Sequence, residues 1–237
     1  MLPIRKELFA KYFFERWDPL TRSPDGRPRY LQLLSILVVH TVIKEGVDAA
    51  IIETHHGGEY DATNVIQRLV VAVVTPLGMD HAKQLRPTIR NIAWHKAGIF
   101  KPGAVVFSSA QDSEETVTVL EKRAAESGVL LRFVPGDDPE LPRDSPNLKP
   151  DVQRANCSFA LAAVRAVQEA KCPESLRSIL PEDIERGVEQ FNWPGWFQHA
   201  PWRSKAHWFF DGAHNEMSVG KAADWFMDFS SKLIRYV

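Results

Sequence analysis

Two short apolar runs separated by a polar loop dominate the hydrophobic pattern of the chain. Residues 49–53 (AAIIE) end on a carboxylate, and residues 69–75 (LVVAVVT) are rich in β-branched side chains. Runs of this length without polar alternation are typical of strands buried on both faces of a parallel sheet. Helical periodicity follows at residues 87–100, where a Lys-Pro-Gly step ends it.

The same alternation of strands and helices continues along the chain. The pattern predicts strands at 104–109, 129–134 and 206–210, and helices at 4–17, 30–45, 113–127, 152–170, 181–190 and 215–232. Residues 135–150 contain five prolines and four acidic residues. That composition predicts a surface loop or a short disordered segment.

This order of elements predicts an α/β fold with a mostly parallel sheet flanked by helices. A Trp-Pro-Gly step at residues 193–195 breaks the pattern. We therefore predict one domain over residues 1–193 and the start of a second α/β domain over residues 194–237.

Composition and charge narrow the classes of function. The chain is 44% hydrophobic, which is ordinary for a globular protein. Its 29 basic and 30 acidic residues nearly cancel, and this balance argues against a nucleic-acid-binding surface as the main function. Cys157 and Cys172 are the two cysteines, so we expect a reducing compartment and no disulfide framework. No apolar run is long enough to span a bilayer. We expect a cytoplasmic protein, with a mitochondrial location as the alternative.

Polar residues follow both predicted central strands. Glu53 closes the first run, and Asp80 and His81 come just after the second. Ligands bind outside the carboxyl ends of parallel strands, so the pattern aims these side chains at one crevice. Gly57 and Gly58 lie in the loop between the strands, where they either let a ligand approach the backbone or form an ordinary turn.

Four motifs, in order and spacing, carry a family resemblance. They are E-x-x-x-G-G-x-Y-D-A-T-N at residues 53–64, L-G-M-D-H at 77–81, I-A-W-H-K-A-G-I-F-K-P-G at 92–103 and D-G-A-H-N at 211–215. Together they resemble the folylpolyglutamate synthases of the Mur ligase superfamily. The resemblance implies a partial central domain of that type, without the phosphate-loop start, plus a truncated carboxy-terminal domain.

The resemblance also implies an activity. Members of this family use ATP and Mg²⁺ to phosphorylate a carboxylate of tetrahydrofolate or its polyglutamates, and the amine of glutamate then displaces the phosphate. The implied partners are small molecules, namely folate, glutamate and ATP. Such chemistry depends mainly on positioning and on electrostatic stabilisation of the transferring phosphoryl group.

The resemblance assigns roles residue by residue. Glu53 and His81 match metal ligands, and Lys96 matches a lysine that the family carbamylates, so that Lys96 and His81 are the expected catalytic residues. Gln153, Asn156, Asp211 and His214 match positions that contact the nucleotide. From the residues alone, the pattern favours a solvated helix lysine at Lys96, and a tight Asp-Gly turn is the alternative at residues 211–212. We predict that the fold brings Glu53, His81 and Lys96 together.

The chain also departs from the family pattern. It contains no G-x-x-x-x-G-K-[ST] phosphate loop, His55 replaces a small residue, Val152 replaces a histidine, and Trp196 replaces a phosphate-facing arginine. We therefore expect no ligase activity from this polypeptide alone. The alternatives are a catalytically inactive remnant or regulatory pseudoenzyme, or a ligase-like protein recruited to a specialised pathway. We also expect exposed aromatic residues near the carboxy terminus and a stabilising protein partner.

Overall fold

The computed structural model describes residues 3–24, 26–80, 82–171, 178–202 and 206–234; for residues 82, 83 and 232–234 the description covers the backbone alone. Contacts between residues divide the chain into unit 1 (Met1–Gln67) and unit 2 (Arg68–Val237). The boundary predicted at residues 193/194 falls inside unit 2 and stays a prediction. None of the helices in the described ranges is long and apolar enough to cross a membrane.

Unit 1 is built on two helices, α1 (Lys6–Thr21) and α2 (Tyr30–Glu45), which pack on each other. The predicted α2 is confirmed, and Gly46 ends it with a left-handed φ of 61°. Helix α1 runs four residues beyond its predicted end and includes Pro19 in its last turn. Pro19 has no N–H to donate to the carbonyl of Glu15, so the last turn of α1 lacks one intrahelical hydrogen bond.

Buried polar contacts hold α1 to α2. Tyr12 is 3% exposed, and its hydroxyl donates a hydrogen bond to the Glu45 carboxylate. The buried His40 ring accepts a 3.0 Å hydrogen bond from Arg16 Nε at Nδ1 and lies 2.9 Å from Glu15 Oε2 through Nε2. Both ring nitrogens are therefore satisfied, as a buried histidine requires.

The strand predicted at residues 49–53 is wrong. These residues have no regular secondary structure, and Ile51 is fully exposed. A strand needs a neighbour to satisfy its backbone N–H and C=O groups, and no strand among the described residues pairs with this segment. Further along unit 1, a 3₁₀ helix spans Ala62–Val65.

Unit 2 contains a three-stranded parallel sheet in the order β1 (Val71–Val74), β2 (Val105–Ser109) and β3 (Leu130–Val134). The helices of this unit are α3 (Ala82–Leu85), α4 (Ile89–Lys96), α5 (Glu114–Glu126), α6 (Asp151–Lys171), α7 (Pro181–Glu189) and α8 (Glu216–Ile234). The predicted α/β class is therefore confirmed, as are these three strands. Helix α3 was not predicted.

The core of unit 2 lies on both faces of the sheet. On one face Val106 packs in a cluster with Leu120 and Ala124 of α5 and with Phe100. Phe107 points to the opposite face by the alternation of a strand and is also buried. Helix α6 contacts all three strands, so β2 is covered on both sides, as its apolar sequence indicates.

The prediction that residues 135–150 do not pack is wrong. Leu141 and Leu148 are 3% and 2% exposed and join a hydrophobic cluster with residues of α6 and α7. Arg154 of α6 donates hydrogen bonds to the Pro142 and Arg143 carbonyls at 2.7 and 3.2 Å. The prolines restrict the backbone of residues 135–150. Contacts of Leu141, Leu148 and Arg154 attach this segment to the helices.

A second sheet follows, made of β4 (Gln198–Trp202) and β5 (Ala206–Phe210) in antiparallel pairing. Strand β5 and helix α8 were predicted, whereas β4 was not. As predicted, aromatic side chains of this region are partly exposed: Trp208 at 52%, Phe210 at 44% and Phe226 at 44%. The stabilising partner inferred from that exposure stays a prediction.

Candidate functional site

Gln111 ties together the segments that leave β1 and β2. Its Nε2 donates to Ser109 Oγ at 2.9 Å and to the Thr75 carbonyl at 3.3 Å, while its Oε1 accepts a 2.9 Å hydrogen bond from Leu77 N–H. Ligands of parallel sheets bind outside these carboxyl ends. Gln111 therefore fixes the edge of the sheet where the sequence predicts a crevice.

Asp80 connects this edge to the carboxy-terminal loop. Its Oδ2 accepts a 3.0 Å hydrogen bond from Asn215 Nδ2 and lies 3.6 Å from His214 Nε2. Two of the sequence motifs, at residues 77–81 and 211–215, thus meet at one place. The contact joins residues 135 positions apart, so the tertiary fold creates it rather than local sequence.

The loop at residues 211–215 is fixed by its own hydrogen bonds. Asp211 accepts backbone N–H groups with both carboxylate oxygens, from Phe197 and from Ala213, each at 2.8 Å. Asn215 Oδ1 accepts a 2.9 Å bond from Ser218 N–H, which makes Asn215 the N-cap of α8. The Asp211 side chain therefore supports the turn, and its predicted contact with nucleotide stays a prediction.

Trp196 lies directly against this loop. A Cβ atom at Gly212 would be 3.3 Å from the indole carbon Cζ2, closer than ordinary van der Waals contact. Glycine at position 212 thus lets the indole approach the backbone. The residue expected to be a phosphate-facing arginine is instead a 45% exposed aromatic ring in contact with the candidate site.

The remaining predicted nucleotide residues lie on α6. Gln153 is buried in the first turn, Asn156 is exposed, and Asn156 Nδ2 lies 3.4 Å from Gln153 Oε1. The structure thus pairs Gln153 with Asn156, and Asp80 with His214 and Asn215. Whether these two groups act on the same nucleotide stays a prediction.

The described part of the chain does not show the predicted metal ligands and the predicted carbamylated lysine as one site. Glu53 is exposed in unit 1, His81 falls outside the described residues, and Lys96 is the half-buried last residue of α4. Across the described ranges, no group of three His, Cys, Asp or Glu side chains is placed to hold a metal ion. The roles of Glu53, His81 and Lys96 stay predictions.

The glycine-pair loop of unit 1 closes on Asp61. This carboxylate accepts hydrogen bonds from His56 N–H at 2.7 Å, Thr63 N–H at 2.9 Å and the Thr63 hydroxyl at 2.7 Å. Burial alone would raise the pKa of Asp61, but these hydrogen bonds outweigh it and hold the pKa below its ordinary value. Gly57 allows the turn with a φ of 72°.

In unit 2, an open cleft of about 380 Å³ lies beside the loop at residues 211–215, between β5 and α8. Asp211, His207, Trp208, Phe209, Ala222, Trp225 and Phe226 line it. Sequence reasoning did not select Gln111, Asn215 or His207. An asparagine directly before a periodic helix is an N-cap signal, so Asn215 was accessible from the sequence, whereas Gln111 and His207 have no local signal.

Comparison with known proteins identifies relatives. No protein-family model matches the sequence. The chain is 39% identical over 239 residues to the folylpolyglutamate synthase of Neurospora crassa, covering 95% of this chain and 44% of that protein. It is 39% identical over 227 residues to a probable folylpolyglutamate synthase of Schizosaccharomyces pombe, covering 94% of this chain and 44% of that protein.

Solved structures share the fold. A folylpolyglutamate synthase in complex with AMPPCP superposes with a TM-score of 0.80 at 23% identity, over 96% of this chain and 60% of that one. The Mycobacterium tuberculosis folylpolyglutamate synthase complexed with ADP and AMPPCP gives 0.75 at 22% identity, over 95% and 55%. The chain spans less than half the length of its curated relatives.

Proposed function

Because this chain belongs to the folylpolyglutamate synthase family, we propose that it carries the nucleotide side of a crevice for ATP-dependent addition of glutamate to a folate. The polypeptide alone does not complete that reaction. It matches 44% of the length of its relatives, so the activity and substrates of a whole synthase are part of the proposal.

The contact between Asp80 and Asn215 carries the proposal. It places the loop after β1 against the loop before α8, and both loops contain motifs of the family resemblance. Asn215 caps the helix and Gln111 fixes the sheet edge, so both walls of the crevice are held by hydrogen bonds. Such preorganisation lets a site orient phosphate groups without reorganising.

The proposed reaction has two steps. An oxygen of the folate carboxylate takes the γ-phosphoryl group of ATP, which forms an acyl phosphate and releases ADP. The glutamate amine then attacks the acyl carbon, loses a proton and releases inorganic phosphate as the amide forms. In this scheme the described residues bind and orient the nucleotide. The Mg²⁺ that the family resemblance implies would neutralise the charge of the phosphate groups.

Two features favour an inactive chain as the second candidate. The 237 residues contain no glycine-rich phosphate loop, and Trp196 places an indole against Gly212 where a cation is expected. A phosphate loop supplies several backbone donors, a lysine and a metal ligand together, so a polypeptide limited to these 237 residues lacks more than one arginine would supply. A chain of this kind retains nucleotide contact without turnover.

The experiment compares Trp196→Arg with Trp193→Arg. Trp193 is also partly exposed and lies three positions away, so it controls for added charge. In calorimetric titrations with Mg-ATP, Trp196→Arg is expected to bind at least about tenfold more tightly, because it adds a charge-assisted contact of about 1.5–3 kcal/mol. Trp193→Arg is expected to bind like the unmodified chain.

Turnover is measured separately, as ATP- and glutamate-dependent mass increase of a reduced folate. We expect none from the unmodified chain or from Trp196→Arg. Equal tightening by both arginine variants would contradict the location of the site. Measurable lengthening of the folate by the unmodified chain would contradict the proposal that the polypeptide alone does not complete the reaction.

A further inference from the structure

Two histidines meet on one face of the β4–β5 hairpin. In the register His199 is opposite Phe209 and Pro201 is opposite His207, so the two histidines are diagonal neighbours on the same face. His199 Nε2 lies 2.8 Å from His207 Nδ1, and the rings are inclined by only 17° with centroids 5.1 Å apart. The two nitrogens therefore share one proton along an edge-to-edge contact.

The surroundings hold one ring and leave the other accessible. His199 is half-buried against the rings of Phe209 and Phe229, with centroids 5.1 and 4.4 Å away. His207 is exposed and lines the open cleft together with Asp211. A ligand that enters the cleft thus reaches a histidine pair whose inner member is fixed by aromatic packing.

We propose that His199 and His207 bind a divalent transition-metal ion of tetragonal preference, namely copper or nickel. Metal–imidazole bonds are about 2.0 Å long, so two nitrogens at a right angle around such an ion lie about 2.8 Å apart. The structure has this separation before any ion binds. Because each ring turns when the ion binds, the preference over zinc rests on affinity: nitrogen ligands generally bind copper and nickel more tightly than zinc.

Binding requires no change in total charge of the two rings. Each ring turns so that its lone pair faces the ion, and the shared proton moves through solvent to an outer nitrogen. His199 then carries its proton on Nδ1 and His207 on Nε2, while two water molecules leave the ion. Burial and the neighbouring His207 hold the pKa of His199 below its ordinary value, so His199 is neutral at pH 7.

The site has two protein ligands. No third His, Cys, Asp or Glu completes a cluster within the described part of the chain, so water fills the remaining coordination positions. A two-histidine site binds more weakly than a closed structural site with four protein ligands. It is also separate from the residues to which the family resemblance assigns metal, because Glu53 and His81 are not on this hairpin.

The test is a calorimetric titration of the full chain with Ni²⁺, which does not oxidise the Cys157 thiol. We expect one ion per chain. His199→Gln and His207→Gln are each expected to weaken binding tenfold or more. The control is a His55→Gln, His56→Gln double variant, which removes two histidines that are adjacent in sequence. Its affinity for Ni²⁺ is expected to stay within twofold of that of the unmodified chain. Zn²⁺ is expected to bind less tightly than Ni²⁺.

The outcomes separate the pair from other histidines. Retention of the ion by His207→Gln, or its loss in the His55→Gln, His56→Gln control, would overturn the proposal, as would the absence of saturable binding. His199→Gln removes a half-buried ring, so circular dichroism is recorded to check the fold. If it unfolds, the exposed His207→Gln decides the question, and Ni²⁺ must still raise the Tm of the unmodified chain.

Discussion

Asp80 and Asn215 are 135 positions apart in sequence, and the Asp80 carboxylate accepts a 3.0 Å hydrogen bond from the Asn215 amide. The same amide side chain caps α8 through Ser218. One residue therefore starts the last described helix and fastens it to the loop after β1. The position of the loop at residues 211–215 therefore depends on a charge-assisted hydrogen bond, whose acceptor is the Asp80 carboxylate.

The first prediction separates these two roles of Asn215. Asn215→Ala removes both and is expected to lower the free energy of unfolding by about 2 kcal/mol. Asn215→Ser keeps a capping oxygen but does not reach Asp80, so it is expected to cost about half as much. Urea unfolding measures both. No loss in Asn215→Ser would show that the Asp80 contact adds nothing to stability, and equal losses in the two variants would show that the cap adds nothing.

Leu148 tests whether residues 135–150 are packed. It is 2% exposed, so Leu148→Ala is expected to lower the free energy of unfolding by about 2–5 kcal/mol through lost contacts and a residual cavity. Leu130 on β3 is 61% exposed and serves as the matched control, with an expected change below about 1 kcal/mol. A Leu148→Ala variant as stable as Leu130→Ala would mean that the segment does not pack.

The pKa of Tyr12 predicts that the chain loses stability at alkaline pH. Its hydrogen bond to Glu45, with burial and the nearby carboxylate charge, raises the pKa of Tyr12 from 10.0 to about 12. The folded chain therefore holds this proton more tightly than the unfolded chain. The resulting stabilisation is complete below pH 10 and is lost between pH 10 and pH 12.

Urea unfolding from pH 9 to pH 12 measures this effect. Tyr12→Phe is expected to be less stable at pH 9 and to show a smaller decline with rising pH. Tyr30 is 73% exposed, and Tyr30→Phe is the control that should keep the decline of the unmodified chain. Parallel curves for the unmodified chain and Tyr12→Phe would refute the assigned cause.

We predict that the chain self-associates through the face of the second sheet that carries Trp208 and Phe210. Trp208 and Phe210 are exposed and stacked, with ring centroids 6.2 Å apart. A Trp208→Thr, Phe210→Thr double variant removes this apolar surface and is expected to sediment with a larger monomer fraction. Phe209 lies on the other face against Trp225, so Phe209→Thr is expected to reduce stability instead. Unchanged sedimentation of the double variant would count against the face that carries Trp208 and Phe210 as the contact.

The parallel sheet was predictable because its signal is local. Residues 71–74 are a continuous apolar run, residues 105–107 are a second one that two serines follow, and each lies where the pattern predicts a strand. Residues 49–53 carry the same pattern but form no strand, since a strand also needs a neighbour and none of the described strands pairs with them. An apolar run thus reports the tendency to pair, and the presence of a partner decides the outcome.

Strand β4 shows the opposite case. Its sequence, QHAPW, lacks alternation and contains Pro201, which has no N–H to donate. It forms because it pairs with one side of β5, as an edge position allows. The contacts of Asp80, Gln111 and Trp196 were equally hidden, because each depends on backbone brought together by the tertiary fold.

We propose that the two loops joined by the Asp80–Asn215 hydrogen bond, at residues 76–80 and 211–215, contact the nucleotide. Photolabelling of the 237-residue chain with an azido derivative of ATP, followed by mass spectrometry of the peptides, tests this proposal. We expect label within those two segments, suppressed by excess ATP. Two results would contradict the proposal. One is that excess ATP suppresses labelling only in peptides of α1 or α2, and the other is that it suppresses labelling in no peptide.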